Sequence, residues 1–176
     1  MNLNDLLAKH GLDTKQRKHI LVMRHRPHER SLRKVLPWLA AERPALFNAY
    51  QQTQFPKQEA MLSRAKYLAS FVGQQAGEAL FVGIYKVGRT HRLSYGQIRR
   101  LHSIEELKRL GMEAFEGSGS CLWFDLHLTE IYTEWSGKLV IGWPPPERAW
   151  CRWADGNEFP VRAILQESLL VRSPDI

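Results

Sequence analysis

The stretch from Lys66 to Gly88, KYLASFVGQQAGEALFVGIYKVG, decides how the chain is read. Two runs rich in β-branched and aromatic residues, 65–74 and 78–88, flank the turn-forming QAGE, residues 75–78. That pattern predicts a β-hairpin. Working upstream, HILVMRHR (His19–Arg26) is a further β-type run, stopped by Pro27. Between them, residues 29–53 read as helix. Leu32, Val35, Leu36 and Leu39 recur at helical spacing, while Pro37 and Pro44 break the segment into two or three short helices. Phe55-Pro56 opens a polar loop. Residues 3–10 predict a short helix capped by Asn2 or Asn4 and closed at Gly11.

Downstream, SIEELKRLG predicts a helix with Ser103 as N-cap, Glu106 completing a capping box and Gly111 ending it. A flexible loop follows at Glu116–Ser120. Residues 121–131, 137–143, 149–154 and 159–167 then predict strands, separated by Pro144-Pro145-Pro146 and Asp155-Gly156-Asn157. The tail after Glu167 reads as a terminal strand or linker. Six or seven strands with a helical excursion after the first predict an α+β fold: a curved mixed or antiparallel sheet, or a small barrel, with flanking helices. One domain over residues 1–176, with its core at about 15–167, accommodates it. The elements do not alternate as βαβ, and no Gly-rich loop joins a strand to a helix. Both facts argue against a nucleotide-binding Rossmann or P-loop fold.

A chain of 176 residues needs no covalent staples to bury a core. Its two cysteines, Cys121 and Cys151, make no disulfide framework, which points to the cytoplasm. No apolar run is long enough for a membrane span, and the N-terminus lacks the apolar centre of a signal peptide. Residues 1–34 and 61–110 each carry nine Lys/Arg against three Asp/Glu, whereas residues 111–176 carry five against ten. A basic front half and an acidic tail suggest a face made for a polyanion.

The densest basic run is MRHRPHERSLRK, with Arg24, Arg26, Arg30, Arg33 and Lys34. Guanidinium forks bind phosphate bidentately, so this run is a candidate backbone clamp, and Arg89 and Arg92 in RTHRLS extend it. Tryptophan is abundant, and Trp123, Trp135, Trp143, Trp150 and Trp153 fall within 31 positions. Trp123 and Trp143 lie in apolar strands and read as core. Trp150 and Trp153, three apart, cannot share a strand face. Aromatic faces beside arginines suit an unstacked base. His25 and His28 have no acidic or cysteine partner at metal-ligand spacing. Asp125 and His127 lie on one strand face, where a satisfied polar pair is the ordinary outcome. The residues imply no metal and no cofactor.

Gly83-Ile84-Tyr85 followed by Tyr95-Gly96 resembles the signature of the GIY-YIG nucleases, which pair two tyrosines across adjacent strands beside a metal-holding glutamate. Tyr95-Gly96 is followed by QIRRLHSIEELKRLG, which reads as helix or turn. The better strand partner for Gly83-Ile84-Tyr85 lies upstream at Tyr67–Gly73, and no glutamate is selected by spacing as the metal ligand. On the hairpin reading RTHRLS is a basic exit loop; a nuclease using Tyr85 is the alternative.

The same hairpin resembles the central hairpin of PUA-like domains, particularly the EVE and SRA-like branches. The run from Tyr132 onward, with Gly137-Lys138-Leu139-Val140-Ile141-Gly142-Trp143 and Arg148-Ala149-Trp150, is similar to the close of a module found upstream of GIY-YIG nuclease domains. The opening MRHRP…LRKVLPWLAAERPALFNAYQ is similar to its start, so the resemblance covers roughly residues 15–167. It implies a PUA-like reader of modified DNA. Such a reader holds a flipped base in a concave aromatic pocket and grips the flanking phosphates with basic loops. The partner implied is modified duplex DNA, with a restriction nuclease supplied by another domain or chain.

On that reading Arg24, Arg26, Arg30, Arg33, Arg89 and Arg92 contact phosphate. The pocket candidates are Tyr50, Phe71, Tyr85, Trp150 and Trp153, with Ser70 and Asp125 as base-edge partners. The rival readings are an RNA-binding PUA-like module, told apart by the 2′-OH, the Tyr85 nuclease, and a protein-interaction domain whose basic face meets an acidic partner.

Overall fold

The run ILVMRH, Ile20–His25, forms strand β1, and all six of its residues are buried. A strand covered on both faces reads as a continuous apolar run rather than an alternating one, and this one does. The computed structural model describes residues 1–74, 77–145 and 150–171. Gln75 and Ala76 of the expected hairpin turn, Pro146 of the proline turn, Arg148 and Ala149 of the resembling motif, and the tail from 172 onward lie outside the described residues.

In chain order the elements are α1 (Leu3–Ala8), α2 (Thr14–Arg17), β1, α3 (Arg30–Glu42), α4 (Pro44–Gln52), β2 (Thr53–Gln54), α5 (Glu59–Leu62), β3 (Tyr67–Gly73), β4 (Glu78–Ser94), α6 (Tyr95–Arg99), α7 (His102–Arg109), β5 (Ser120–Leu128), β6 (Leu139–Gly142), β7 (Cys151–Trp153) and β8 (Val161–Ile164). The strands run in the order β2-β5-β4-β3-β1-β7, with β6 on β4 and β8 on β6. β3 and β4 pair antiparallel as the hairpin predicts, while β1 lies parallel to β3. The fold is therefore α+β with a mixed sheet and flanking helices, as the sequence predicts. The chain folds as two compact units, the first Met1–Arg26, Arg64–Val87 and His127–Leu169, the second Pro27–Ser63 and Gly88–Leu126 with Leu170.

In the first unit, one sheet face presents Ile20, Val22, Ala69, Phe71, Phe81 and Ile84 to a core that includes Leu3, Leu6 and Leu7 of α1, Trp143 and Phe159. Phe71 and Phe81 meet edge to face at 5.4 Å. Between the Ser70↔Gly83 and Phe71↔Phe81 pairs, β4 carries one extra residue, Val82. That bulge lets Phe81 and Ile84, three apart, share one face. Of the two expected caps it is Asn2 that is used, and Asp5 returns the bond to complete a capping box. Tyr132 takes the left-handed conformation at φ 57°, stacks on Trp135 at 4.2 Å and donates its hydroxyl hydrogen to the Leu6 carbonyl.

In the second unit, α3 packs on α4 and α4 on α7. Helix α3 runs unbroken through Pro37, contrary to the expected break. A proline inside a helix costs about 3 kcal/mol. Leu32, Leu36 and Leu39 are fully buried on the same helix, and each contributes roughly 1.5–3 kcal/mol. Three buried leucines outweigh one lost hydrogen bond and one ring clash. Pro44 does begin a new helix, at its N-terminal position, where its missing N–H costs nothing.

Two further expectations are corrected. RTHRLS is not an exit loop: β4 continues to Ser94 before α6 begins. Gly88 allows this, since a Cβ there would stand 3.1 Å from the Asp125 Cβ on β5. Helix α7 is capped by Leu101 without a side-chain bond, so Ser103 lies inside the helix. The Ser-x-x-Gln capping box that does form is one helix earlier, with Ser94 and Gln97 bonding reciprocally.

Candidate nucleic-acid interface

The start of α3 comes from the densest basic run, and it borders a cleft of about 850 Å³ in the second unit. The cleft is lined by His28, Glu29, Arg30, Ser31, Lys34, Gly111 and Glu113. Arg30 and Lys34 are four apart on α3, hence one turn apart on one side of the helix. Both are exposed, as is His28. Glu29 holds the N-cap position of α3 but makes no side-chain cap bond. Its Oε1 instead accepts from the Glu113 backbone N–H at 3.0 Å, which ties the two sides of the cleft together. Gly111, at φ +110°, closes one wall. A Cβ on it would stand 2.1 Å from the Ser31 Oγ and 3.1 Å from the Ser31 Cβ, in a backbone conformation that L side chains rarely adopt.

Whether a surface cation can be offered to a phosphate depends on whether a carboxylate already holds it. Arg43, Arg92, Lys108 and Arg109 are paired, with Glu106, Glu59, Glu116 and Glu105 respectively. Among the described residues Arg26, Arg30, Arg33, Lys34 and Arg89 make no ion pair. Arg30 and Lys34 therefore reach a ligand without first breaking a bridge. Arg33 is half-buried on α3 and does not line the cleft. Arg89 and Arg92 are exposed on the far half of β4.

The other arginines of the run lie in the first unit and differ sharply from each other. Arg26 is exposed beside Gly73, where a Cβ would meet its Cβ at 3.2 Å. Arg24 is only 6% exposed, and its guanidinium carbon lies 4.9 Å from the centre of the Trp143 ring. That is cation–π distance in a desolvated setting, the geometry of a packed structural arginine.

The pocket candidates separate by strand face. Ser70 pairs with Met23 and Gly83, and Tyr85 and Leu21 pair with Leu68. On β7, Trp153 pairs with Leu21 and Cys151 with Met23. Directly opposed residues share a face, so Ser70, Tyr85 and Trp153 lie together on the face opposite the core that holds Phe71. Ser70 has no exposed surface and Tyr85 is buried. Leu128 reaches over this face, since a Cβ on Gly83 would stand 2.6 Å from its Cδ1. Trp153 is half-buried, with the Arg64 guanidinium 5.3 Å from its ring centre. Trp150 precedes β7, and its carbonyl accepts from the Arg24 N–H at 2.7 Å.

In the second unit, burial, reinforced by the Glu29 carboxylate, pushes the Tyr50 hydroxyl well above its usual pKa. Tyr50 thus lies within the field of a cleft residue. Asp125 faces His91, whose Nε2 is 3.6 Å from its Oδ2.

Tyr85 and Tyr95 do not sit on adjacent strands. Tyr85 is within β4, and Tyr95 opens the helix that follows the same strand. Among the described residues no three His, Cys, Asp or Glu side chains are grouped to hold a metal. No helix among the described residues is long and apolar enough to cross a membrane.

Glu29, Gly111 and Glu113 are not singled out as site residues by the sequence, whereas Lys34 belongs to the basic run. Nothing local in the sequence couples Gly111 and Glu113 to α3, because that neighbourhood is made by tertiary packing. Compared with family models, curated proteins and solved structures, the chain matches none of them. What the fold and the site define is a mixed α+β protein with a charged cleft at the head of a helix.

Proposed function

We propose that this chain is a recognition module for DNA, reading a modified base and serving a modification-dependent restriction nuclease that resides in another domain or chain. Its place of action on this reading is the cytoplasm. The observation that carries it is the cleft at the head of α3, where Arg30 and Lys34 stand one turn apart, exposed and free of ion pairs among the described residues. A guanidinium fork and an ammonium so spaced suit successive phosphate oxygens. The first-turn amides of α3 and the positive end of its dipole add to the attraction. The PUA-like resemblance of the hairpin and of residues 132–150 adds the modified base to that picture. Of the groups that the resemblance calls for, Trp153 is half-buried, while Ser70 and Tyr85 on the same face are buried.

The test is a binding panel at fixed salt: one duplex sequence, unmodified and with cytosine, adenine or backbone modifications. The reading expects one modified duplex to bind at least tenfold tighter than the plain one. Equal binding of all members removes the modification claim, and no binding of any member removes DNA. Single-stranded RNA competing better than duplex DNA moves the module to RNA.

A further inference from the structure

Phe55 is 60% exposed, although burying it would stabilise the fold by roughly 1.5–3 kcal/mol. Its position is held from both sides. Strand β2 immediately before it pairs with β5 through Thr53↔Trp123 and Gln54↔Leu122. After it, Pro56–Gln58 forms a 3-10 turn whose last N–H donates to the Phe55 carbonyl at 2.9 Å. The proline fixes its own φ, so the corner has little freedom left. The Lys57 ammonium lies 5.8 Å from the ring centre, at the outer limit of a cation–π contact. Glu59, at the start of α5, ties Arg92 to the same segment. An aromatic ring is thus presented to solvent on a rigid corner, with one cation, Lys57, beside it.

We propose that Phe55 is a stacking platform for an unpaired nucleobase, with Lys57 taking an adjoining phosphate. The proposal rests on the DNA-binding reading above and adds a second contact point to it. Every base has a π-face, so stacking on Phe55 is indifferent to sequence, and its contribution falls on bases that are out of the duplex. A reader that draws one base from the stack leaves neighbours or an orphaned partner to be held, and this ring fits that task.

The experiment measures binding of two probes by anisotropy at one salt concentration: a single strand containing 2-aminopurine, and the fully paired duplex of the same sequence. The proteins are the intact chain and its Phe55→Ala, Phe55→Leu and Phe55→Trp variants. Phe55 is exposed, so all should keep the parent's melting temperature. The expected result is about tenfold weaker single-strand binding for the Ala and Leu variants, with reduced 2-aminopurine quenching, restoration by Trp, and unchanged duplex affinity. Ala and Leu variants that match the intact chain on the single strand overturn the platform. So does an equal loss on both probes. If the intact chain binds neither probe, the DNA reading itself falls, a different result from the platform failing alone.

Discussion

The guanidinium carbon of Arg24 lies 4.9 Å from the centre of the Trp143 ring, within the first unit's packed interior. Six residues further on, Arg30 is exposed and lines a cleft. Two arginines of one basic run therefore do different physical work. Arg24→Ala should lower unfolding stability by about 2 kcal/mol, through the lost cation–π contact and the lost packing of its stem. Arg30→Ala should stay within about 0.5 kcal/mol of the parent. Urea unfolding measures both, and a destabilised Arg30 variant beside an unaffected Arg24 variant would reverse the assignment.

Arg30→Ala and Lys34→Ala should each reduce the slope of log K against log salt by about one, and the double variant by about two. Affinity for every duplex should fall together, because phosphate contacts carry no sequence information. Titrations at four or more salt concentrations give the slopes. An unchanged slope would place the polyanion elsewhere on the surface.

Burial raises the Cys151 thiol to about 11 against an ordinary value of 9.0, with Arg152 offsetting part of the effect. Burial pushes the Cys121 thiol up as well. Only the thiolate reacts, so at pH 8 iodoacetamide should label both cysteines far more slowly in the native chain than in urea. The stability consequence follows from proton counts. Between the unfolded and folded values the native state holds the extra proton, so stability falls as pH rises from about 9 toward 11. Below that window the Cys151 contribution is complete. Cys151→Ala should flatten that part of the stability-against-pH curve, and an unaltered decline would assign it to other groups, Tyr50 among them.

The hairpin and β1 were legible in the sequence because β-branched and aliphatic residues crowd those runs, and strands buried on both faces need them. Helix α1 was legible through its Asn2 cap. What was not legible turned on tertiary contacts. Pro37 reads as a helix breaker until the three leucines around it are seen to be buried. RTHRLS reads as a loop by composition, yet as part of β4 it is a neighbour of β5. Ser103 has the chemistry of a cap but is the second residue of its helix, while Ser94 with Gln97 carries the same signal and does cap. Among site residues, a cluster of arginines could be seen but not sorted. Arg24 and Arg26 differ by one strand step in number and by nearly everything in exposure. Phe71 and Ser70 are neighbours in sequence and point to opposite faces. Phe55 reads only as the start of a loop, since exposure of a single aromatic leaves no trace in the sequence pattern.

Gly111 joins fold and cleft, and its substitution should disturb both. Its φ of +110° is one that L side chains rarely adopt, and a Cβ there would stand 2.1 Å from the Ser31 Oγ and 3.1 Å from the Ser31 Cβ. The hydroxyl can rotate away, but the Cβ of Ser31 belongs to the first turn of α3 and cannot. Gly111→Ala should therefore destabilise by about 2 kcal/mol, from backbone strain and overpacking together. It should also push the head of α3 outward and displace Arg30 and Lys34 from the cleft. Adding Ser31→Gly relieves the collision but not the φ strain. The double variant should thus recover most of the lost DNA affinity and only part of the lost stability. Affinity that stays low in the double variant while stability recovers would mean that Gly111 acts on the cleft by some route other than Ser31.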